Sequence, residues 1–145
     1  MNIYFSCSIT GGRAEEATYQ AIAKQLEDDG HYVPTAHLSS PDVMLLEDVV
    51  DPVEIFTRDM AWVRDCDAVV AEVSSPSHGV GYEIAYALSL GKPVLCCHKT
   101  GKRVSKIITG NTSPGFTVTK YETDAEAVSA VRDFTRVLSE NHHNQ

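Results

Sequence analysis

Asp67-Ala-Val-Val-Ala-Glu-Val-Ser-Ser-Pro-Ser-His-Gly-Val-Gly-Tyr-Glu83, running on into Ile84-Ala-Tyr-Ala-Leu-Ser-Leu-Gly-Lys-Pro93, is the stretch that decides the fold. Asp67–Val73 is a short β-branched apolar run of the kind that forms a strand covered on both faces. A Ser/Pro/Gly loop follows, then a helical segment over about 80–90 that Gly91 ends. Strand, loop and helix in that order are half of a βαβ unit, so the loop lies at the carboxyl edge of a parallel sheet, where open α/β folds hold ligands. The first helical turn is predicted to contain one carboxylate, Glu83. A carboxylate there either performs chemistry or answers the helix dipole, which would keep it ionised.

Working outward, residues 2–7 read as a first strand and about 13–29 as a helix, with Ala17, Ile22 and Leu26 at helical spacing. His31-Tyr-Val33 reads as a short second strand. Pro34 to Pro52 is a long connection of the sort that forms a lid, a binding loop or a partner surface. A helix over about 53–65 should turn Ile55, Phe56, Met60 and Val63 inward, with Asp59 near their edge. Pro93–Cys97 is a further strand, Gly110–Gly115 a turn cluster, Phe116–Tyr121 an alternating edge strand, and 124–140 a closing helix. This alternation predicts a single-domain α/β three-layer sandwich, flavodoxin-like or Rossmann-like, with a five-stranded parallel sheet in the order 2-1-3-4-5. In that order the loops Ser8–Arg13 and Ser74–Gly81 face each other across one crevice.

With 145 residues, 43% of them hydrophobic, the chain suits one core. We expect a domain over 1–140 and a frayed tail over 141–145, its histidines solvated. No apolar run approaches membrane-spanning length, and the first residues read as a strand instead of a leader, so no membrane partner is expected and a cytoplasmic location is, extending to the nucleus in a eukaryote. Cys7, Cys66, Cys96 and Cys97 lack C-x-x-C spacing and read as buried, reduced thiols. The formal charge of −8 argues against a nucleic acid polymer but not against a single nucleotide, whose phosphate needs only a few local donors.

The chemistry-bearing residues each admit a plainer reading. Ser6-Cys-Ser-Ile-Thr-Gly-Gly-Arg13 offers hydroxyls and glycines at a helix start, which suits an anion or an ordinary capped turn; it is neither a Walker loop nor G-x-G-x-x-G. Gly79 and Gly81 would let a ligand approach the backbone, with Ser77 as a donor. A capping box around Glu83 is ruled out, because the required position is Val80. Asp59 either pairs with Arg58 or joins Glu83 in the crevice. Two carboxylates about 5–5.5 Å apart are the equipment of retaining glycosyl transfer. Tyr4 on a central strand reads as core with its hydroxyl reaching outward, His37 as a solvated loop residue, and Trp62 and Tyr82 as packing.

With those residues in view, the chain resembles the nucleoside 2-deoxyribosyltransferase superfamily, and within it the branch of 2'-deoxynucleoside 5'-monophosphate N-glycosidases. The similarity runs through Tyr4-Phe, Ser8-Ile, Gly11-Gly-Arg13, His37, Asp59, Trp62, Asp67, Val69–Val73, the Gly-Val-Gly-Tyr-Glu83 segment and Leu90–Cys96. The resemblance implies Glu83 as a nucleophile on C1' of the sugar. Asp59 would orient it or handle the proton that goes to the base, and Tyr4 would bond the nucleophile and the sugar. Ser8, Gly12 and Ser77 would hold the 5'-phosphate, with Ile9, Arg13, Gly79 and Gly81 around it, and His37 would lie against the base. It also implies a homodimer whose partner loop, here Gly110–Gly115 with Asn111, Thr112 and Ser113, completes each site. Two departures bear on phosphate recognition: Thr10 stands where vertebrate hydrolases carry Arg, and the partner loop is one residue shorter. The expected activity is hydrolysis of a deoxynucleoside monophosphate to base and deoxyribose 5-phosphate through a covalent intermediate, with no cofactor and no metal. Base exchange between deoxynucleosides is the alternative within the class, and a non-catalytic nucleotide-binding module is the alternative outside it.

Overall fold

The computed structural model describes residues 1–143. Its elements are β1 (Ile3–Ser6), α1 (Glu16–Asp28), a 3₁₀ turn (Ala36–Ser39), α2 (Val43–Glu47), α3 (Pro52–Asp65), β2 (Ala68–Glu72), α4 (His78–Ser89), β3 (Val94–Lys99), α5 (Lys106–Thr109), β4 (Phe116–Tyr121) and α6 (Asp124–His143). The strands form one parallel sheet in the order β1-β2-β3-β4. Tyr4 pairs with Val69, Val70 with Leu95 and Cys97 with Thr119.

The sheet therefore has four strands, not the five expected. His31–Val33 contributes one parallel bridge, Asn2 to Tyr32, made by Ile3 N–H to the Tyr32 carbonyl (2.9 Å) and Tyr32 N–H to the Met1 carbonyl (3.0 Å). The segment lies at the edge beside β1, where the expected order puts its second strand. Gly30, at φ +83, turns the chain out of α1, and Pro34 has no N–H to extend a ladder. Between those two stops the segment extends far enough for only the one bridge.

Side-chain alternation gives each face of the sheet its own core. Ile3, Phe5, Val70, Leu95 and Cys97 pack with Tyr19, Ile22 and Leu26 of α1 and with Val131 of α6. Tyr4, Val69, Ala71, Val94 and Cys96 pack with Val63 of α3 and Ile84 and Ala87 of α4. All four cysteines are buried and free, and burial pushes the Cys7, Cys96 and Cys97 thiols up to about 12, so they stay protonated.

Two expectations about helices need correction. On α3 only Asp59 and Val63 are fully buried, whereas Phe56 is 57% exposed and meets Tyr82 edge-on at 6.3 Å. The α3 stripe thus faces a cleft near its start and the core only near its end. The tail is helical through His143, where the exposed last turns of α6 carry an Arg136–Glu140 pair at 2.9 Å; Asn144 and Gln145 lie outside the described residues. Among the described residues, no helix is long and apolar enough to cross a membrane.

Candidate active site

The site is assembled at the carboxyl edge of β1 and β2, on the α3/α4 face. Strand alternation sends Tyr4 to that face and Ser6 after it. Beyond β2, Ser77 caps α4 by accepting the Val80 N–H at 3.3 Å, so the helix starts at His78. Glu83 is consequently its sixth residue, in the second turn and not the first. The Tyr4 and Ser6 hydroxyls lie within interaction range of the Glu83 carboxylate, though neither closes a hydrogen bond of ordinary geometry. The α3 helix, capped by Asp51 with Pro52 in its first turn, brings Asp59 to the same place.

Burial dominates the electrostatics. It pushes the Glu83 carboxyl up to about 7, with Asp59 adding to the rise and Tyr4, Ser6 and Arg58 opposing it. The helix dipole expected to keep Glu83 ionised acts mainly on the first turn, and at this second-turn position burial works against the charge. Burial also raises Asp59, while Arg58, whose Nε donates to Asp59 Oδ1 at 2.8 Å, pulls it back. The two readings of Asp59 both hold: it pairs with Arg58 and it borders the crevice. Tyr4 sits far above its ordinary value through burial and the two nearby carboxylates, so it remains a neutral O–H donor.

A cleft of about 540 Å³ opens over these groups. Ile9 and Thr10 border it from the first loop, Glu47 and Asp48 from the long connection, Ile55, Phe56 and Asp59 from α3, and Gly79, Tyr82 and Glu83 from α4. A methyl group on Gly79 would stand 3.6 Å from Glu83 Oε1, so the glycine keeps the carboxylate accessible. Gly11 packs so closely that a Cβ there would meet the Pro76 carbonyl oxygen at 2.1 Å, which brings the two facing loops into backbone contact.

The other expected site residues divide by position. Ser8 is fully buried, and its hydroxyl has no partner among the described residues. Gly12 adopts φ +113, a conformation that favours glycine, with open space around it. Arg13 turns away from the cleft: it donates to the Ser8 and Ser40 carbonyls at 3.2 Å each and lies 5.3 Å from the Tyr19 ring centre, fastening the first loop to the long connection. His37 stands behind the cleft wall, 3.2 Å from Glu47 Oε1 and edge-on to Trp62 at 6.0 Å. Ser77 and Gly81 border a separate pocket of about 360 Å³, with His78, Arg103 and Ser105. Asn111 and Ser113 lie before β4, beside Pro93 at the amino edge, and cannot reach their own chain's cleft.

Ser6 and Glu47 belong to this region and were not anticipated, and Arg58 was foreseen only as a partner of Asp59. Ser6 was legible, since strand period two places it on the face of Tyr4. Glu47 left no signal, because its 3.1 Å bond to Arg58 joins two helices whose relative placement no local pattern encodes.

A buried carboxyl poised near neutrality, a second carboxylate beside it, a phenol donor and a cleft above them can attack an electrophilic carbon and manage a proton. The family described as nucleoside 2-deoxyribosyltransferase matches residues 3–136. The chain belongs to the nucleoside 2-deoxyribosyltransferase family. Among relatives in this deoxyribosyltransferase family, a Danio rerio protein named 5-hydroxymethyl-dUMP N-hydrolase is 38% identical over 145 residues, covering 97% of this chain and all of its own. A Methanococcoides burtonii protein provisionally named 2'-deoxynucleoside 5'-phosphate N-hydrolase 1 is 40% identical over 112 residues, covering 77% of this chain and 92% of its own. The solved CMP N-glycosidase BcmB of Clostridium botulinum superposes with a TM-score of 0.70 over 91% of this chain and 98% of its own, at 19% identity, and shows the shared fold.

Proposed function

We propose that this deoxyribosyltransferase-family chain hydrolyses the N-glycosidic bond of 2'-deoxynucleoside 5'-monophosphates, releasing the free base and 2-deoxyribose 5-phosphate. The observation that carries this reading is the meeting of Glu83 and Asp59 at the border of one cleft, with the buried Tyr4 side chain beneath Glu83. The names of the relatives support the substrate class.

In the proposed reaction a Glu83 oxygen bonds to C1' while the C1'–N bond breaks, its electron pair leaving with the base, which takes a proton through Asp59. Water then attacks C1', the bond to Glu83 breaks, and the proton lost by water restores Asp59. Expelling a base through an oxocarbenium-like transition state calls for negative charge under C1', and Glu83 supplies it in its ionised form. Tyr4, held neutral, donates to that carboxylate and steadies it. Ser8 and Gly12, on the loop that also carries Thr10, are assigned to the 5'-phosphate, whereas Ser77, which caps α4 and borders the neighbouring pocket, is not. No metal or organic cofactor enters these steps.

Incubation with a 2-fluoro-2-deoxyribosyl nucleotide, followed by mass spectrometry, is expected to show a glycosyl adduct on Glu83 and release of base. Absence of any base release by wild type would remove the enzymatic reading and leave nucleotide binding, whereas turnover without the adduct, unchanged in Glu83→Ala, would remove Glu83 from the chemistry. Adding a free acceptor base separates hydrolysis from base exchange: a new nucleoside product would mean transfer.

The reading includes a homodimer, because Asn111 and Ser113 can serve only the cleft of another copy. Mixing Glu83→Ala protein with the Asn111→Ala, Ser113→Ala double variant should restore one intact site per mixed dimer. Activity no higher than the sum of the two separate proteins would refute it.

A further inference from the structure

The long connection between Pro34 and Pro52 is joined to the carboxylate pair by an unbroken chain of polar contacts. His37, in the 3₁₀ turn, lies 3.2 Å from Glu47 Oε1. Glu47, the last residue of α2, accepts from Arg58 Nη2 at 3.1 Å and 3.4 Å, one bond to each oxygen. Arg58 Nε then donates to Asp59 Oδ1 at 2.8 Å. The guanidinium lies 4.8 Å from the centre of the Trp62 ring, which fixes its plane. None of this is a loose surface pair, for the Glu47 and Asp59 side chains are 10% and 13% exposed and that of Arg58 26%. A guanidinium offers donors in a rigid fork, so seating its Nη2 on Glu47 dictates where its Nε points.

We propose that Arg58 and Glu47 are positioning residues for the reaction, Arg58 aiming the Asp59 carboxylate into the cleft and Glu47 holding Arg58 in place from the long connection. This rests on the N-hydrolase reading for what Asp59 does, but not for the geometry. Its consequence is that the connection and the carboxylate pair behave as one unit: displacing α2 withdraws Glu47, frees the guanidinium to turn on Trp62 and releases Asp59.

Charge acts in the same direction. The groups facing Asp59 are Arg58 on its own helix, Glu47 from α2, His37 from the 3₁₀ turn, Glu83 from α4 and the buried Tyr4 from β1. Arg58 lowers both Asp59 and Glu83, whereas Glu47 raises Asp59. Removing the arginine should therefore move both carboxyls up in pH. Removing the Glu47 charge should have the opposite direct effect on Asp59, unless the freed arginine lets go of it.

Two readouts on the full chain test this. The first, independent of turnover, is a ¹³C NMR titration of the side-chain carboxyls in wild type, Arg58→Gln, Arg58→Lys, Glu47→Gln and the Glu47→Gln, Arg58→Gln double variant. Arg58→Gln should raise the Asp59 midpoint, and Arg58→Lys, which keeps the charge but loses the fork, should restore the midpoint without restoring the rate. The second is kcat against pH with a deoxynucleoside monophosphate. Arg58→Gln should lose about 100-fold in kcat, the cost of a misaimed catalytic group, with its acid limb moved upward. Glu47→Gln should lose activity in wild type but not in the Arg58→Gln background, since a residue acting through another adds nothing once the other is gone. An unmoved Asp59 midpoint in Arg58→Gln, a fully active Arg58→Lys, or additive losses in the double variant would overturn the proposal. If wild type turns over no deoxynucleotide, the reaction reading fails while the titration still judges the geometry.

Discussion

At Glu83 the needs of chemistry and of folding pull in opposite directions, because the same burial that makes its carboxylate reactive penalises its charge. A carboxyl raised to about 7 in the folded chain and ordinary when unfolded holds more protons folded than unfolded over the interval between those values. Stability from this group is then complete below the ordinary carboxyl range and is lost as pH rises toward 7. Glu83→Gln should accordingly melt above wild type at pH 8 and together with it near pH 4, while losing turnover at both. Equal melting temperatures at pH 8 would show that Glu83 is not penalised by burial. The acid limb of kcat/KM in wild type should have its midpoint near 7, reporting Glu83 in the free protein. Residue-level legibility follows the same physics. Glu83 stood out because no cap explained it, whereas Tyr4 read as core and only the family resemblance marked it; the strand that bears it ends the four-stranded ladder instead of lying at its centre. Ser6 could have been seen from strand period. Arg13 was misjudged because composition marks a guanidinium as an anion partner without revealing that two backbone carbonyls already occupy it.

At the scale of elements, strand-to-helix alternation located nearly every boundary, and the failures lie where a segment is too short for a pattern. His31–Val33 has strand composition, yet Gly30 and Pro34 leave it room for a single bridge. The start of α4 was placed too late because Gly79 and Gly81 read as loop, whereas the Ser77 cap already commits His78 to the helix. Glu72 shows how the loop between β2 and α4 is anchored from the opposite face of the sheet. Its buried carboxylate accepts from the Ser74 N–H at 2.9 Å and from the Ser74 hydroxyl, whose oxygen accepts the Lys99 N–H at 2.8 Å. That tie joins the ends of β2 and β3 and delivers the loop to Gly11. Contact between the loops leaves no room for growth: Gly11→Ala places a methyl on the Pro76 carbonyl, and backbone cannot swing aside. The expected cost is about 1–3 kcal/mol of stability, measured by denaturant unfolding, with a large loss of turnover as the loops part. A variant as stable and active as wild type would mean that the loops separate freely.

Across the whole molecule, the architecture was legible because two-sided burial writes itself into β2 as an unbroken apolar run, and each face of the sheet then demands helices. The assembly of the cleft was less so, because it depends on α2 and α3, whose exposed apolar residues Leu45, Leu46, Val53 and Phe56 follow no core-facing period. One consequence concerns how a ligand arrives. Four carboxylates, Glu47, Asp48, Asp59 and Glu83, border the cleft of a protein whose formal charge is −8, and Arg58 is already committed to two of them. A phosphorylated ligand therefore approaches against a repulsive potential and is held only by short-range donors once inside. Added salt, which slows the capture of anions by basic clefts, should here shorten the approach and quicken association.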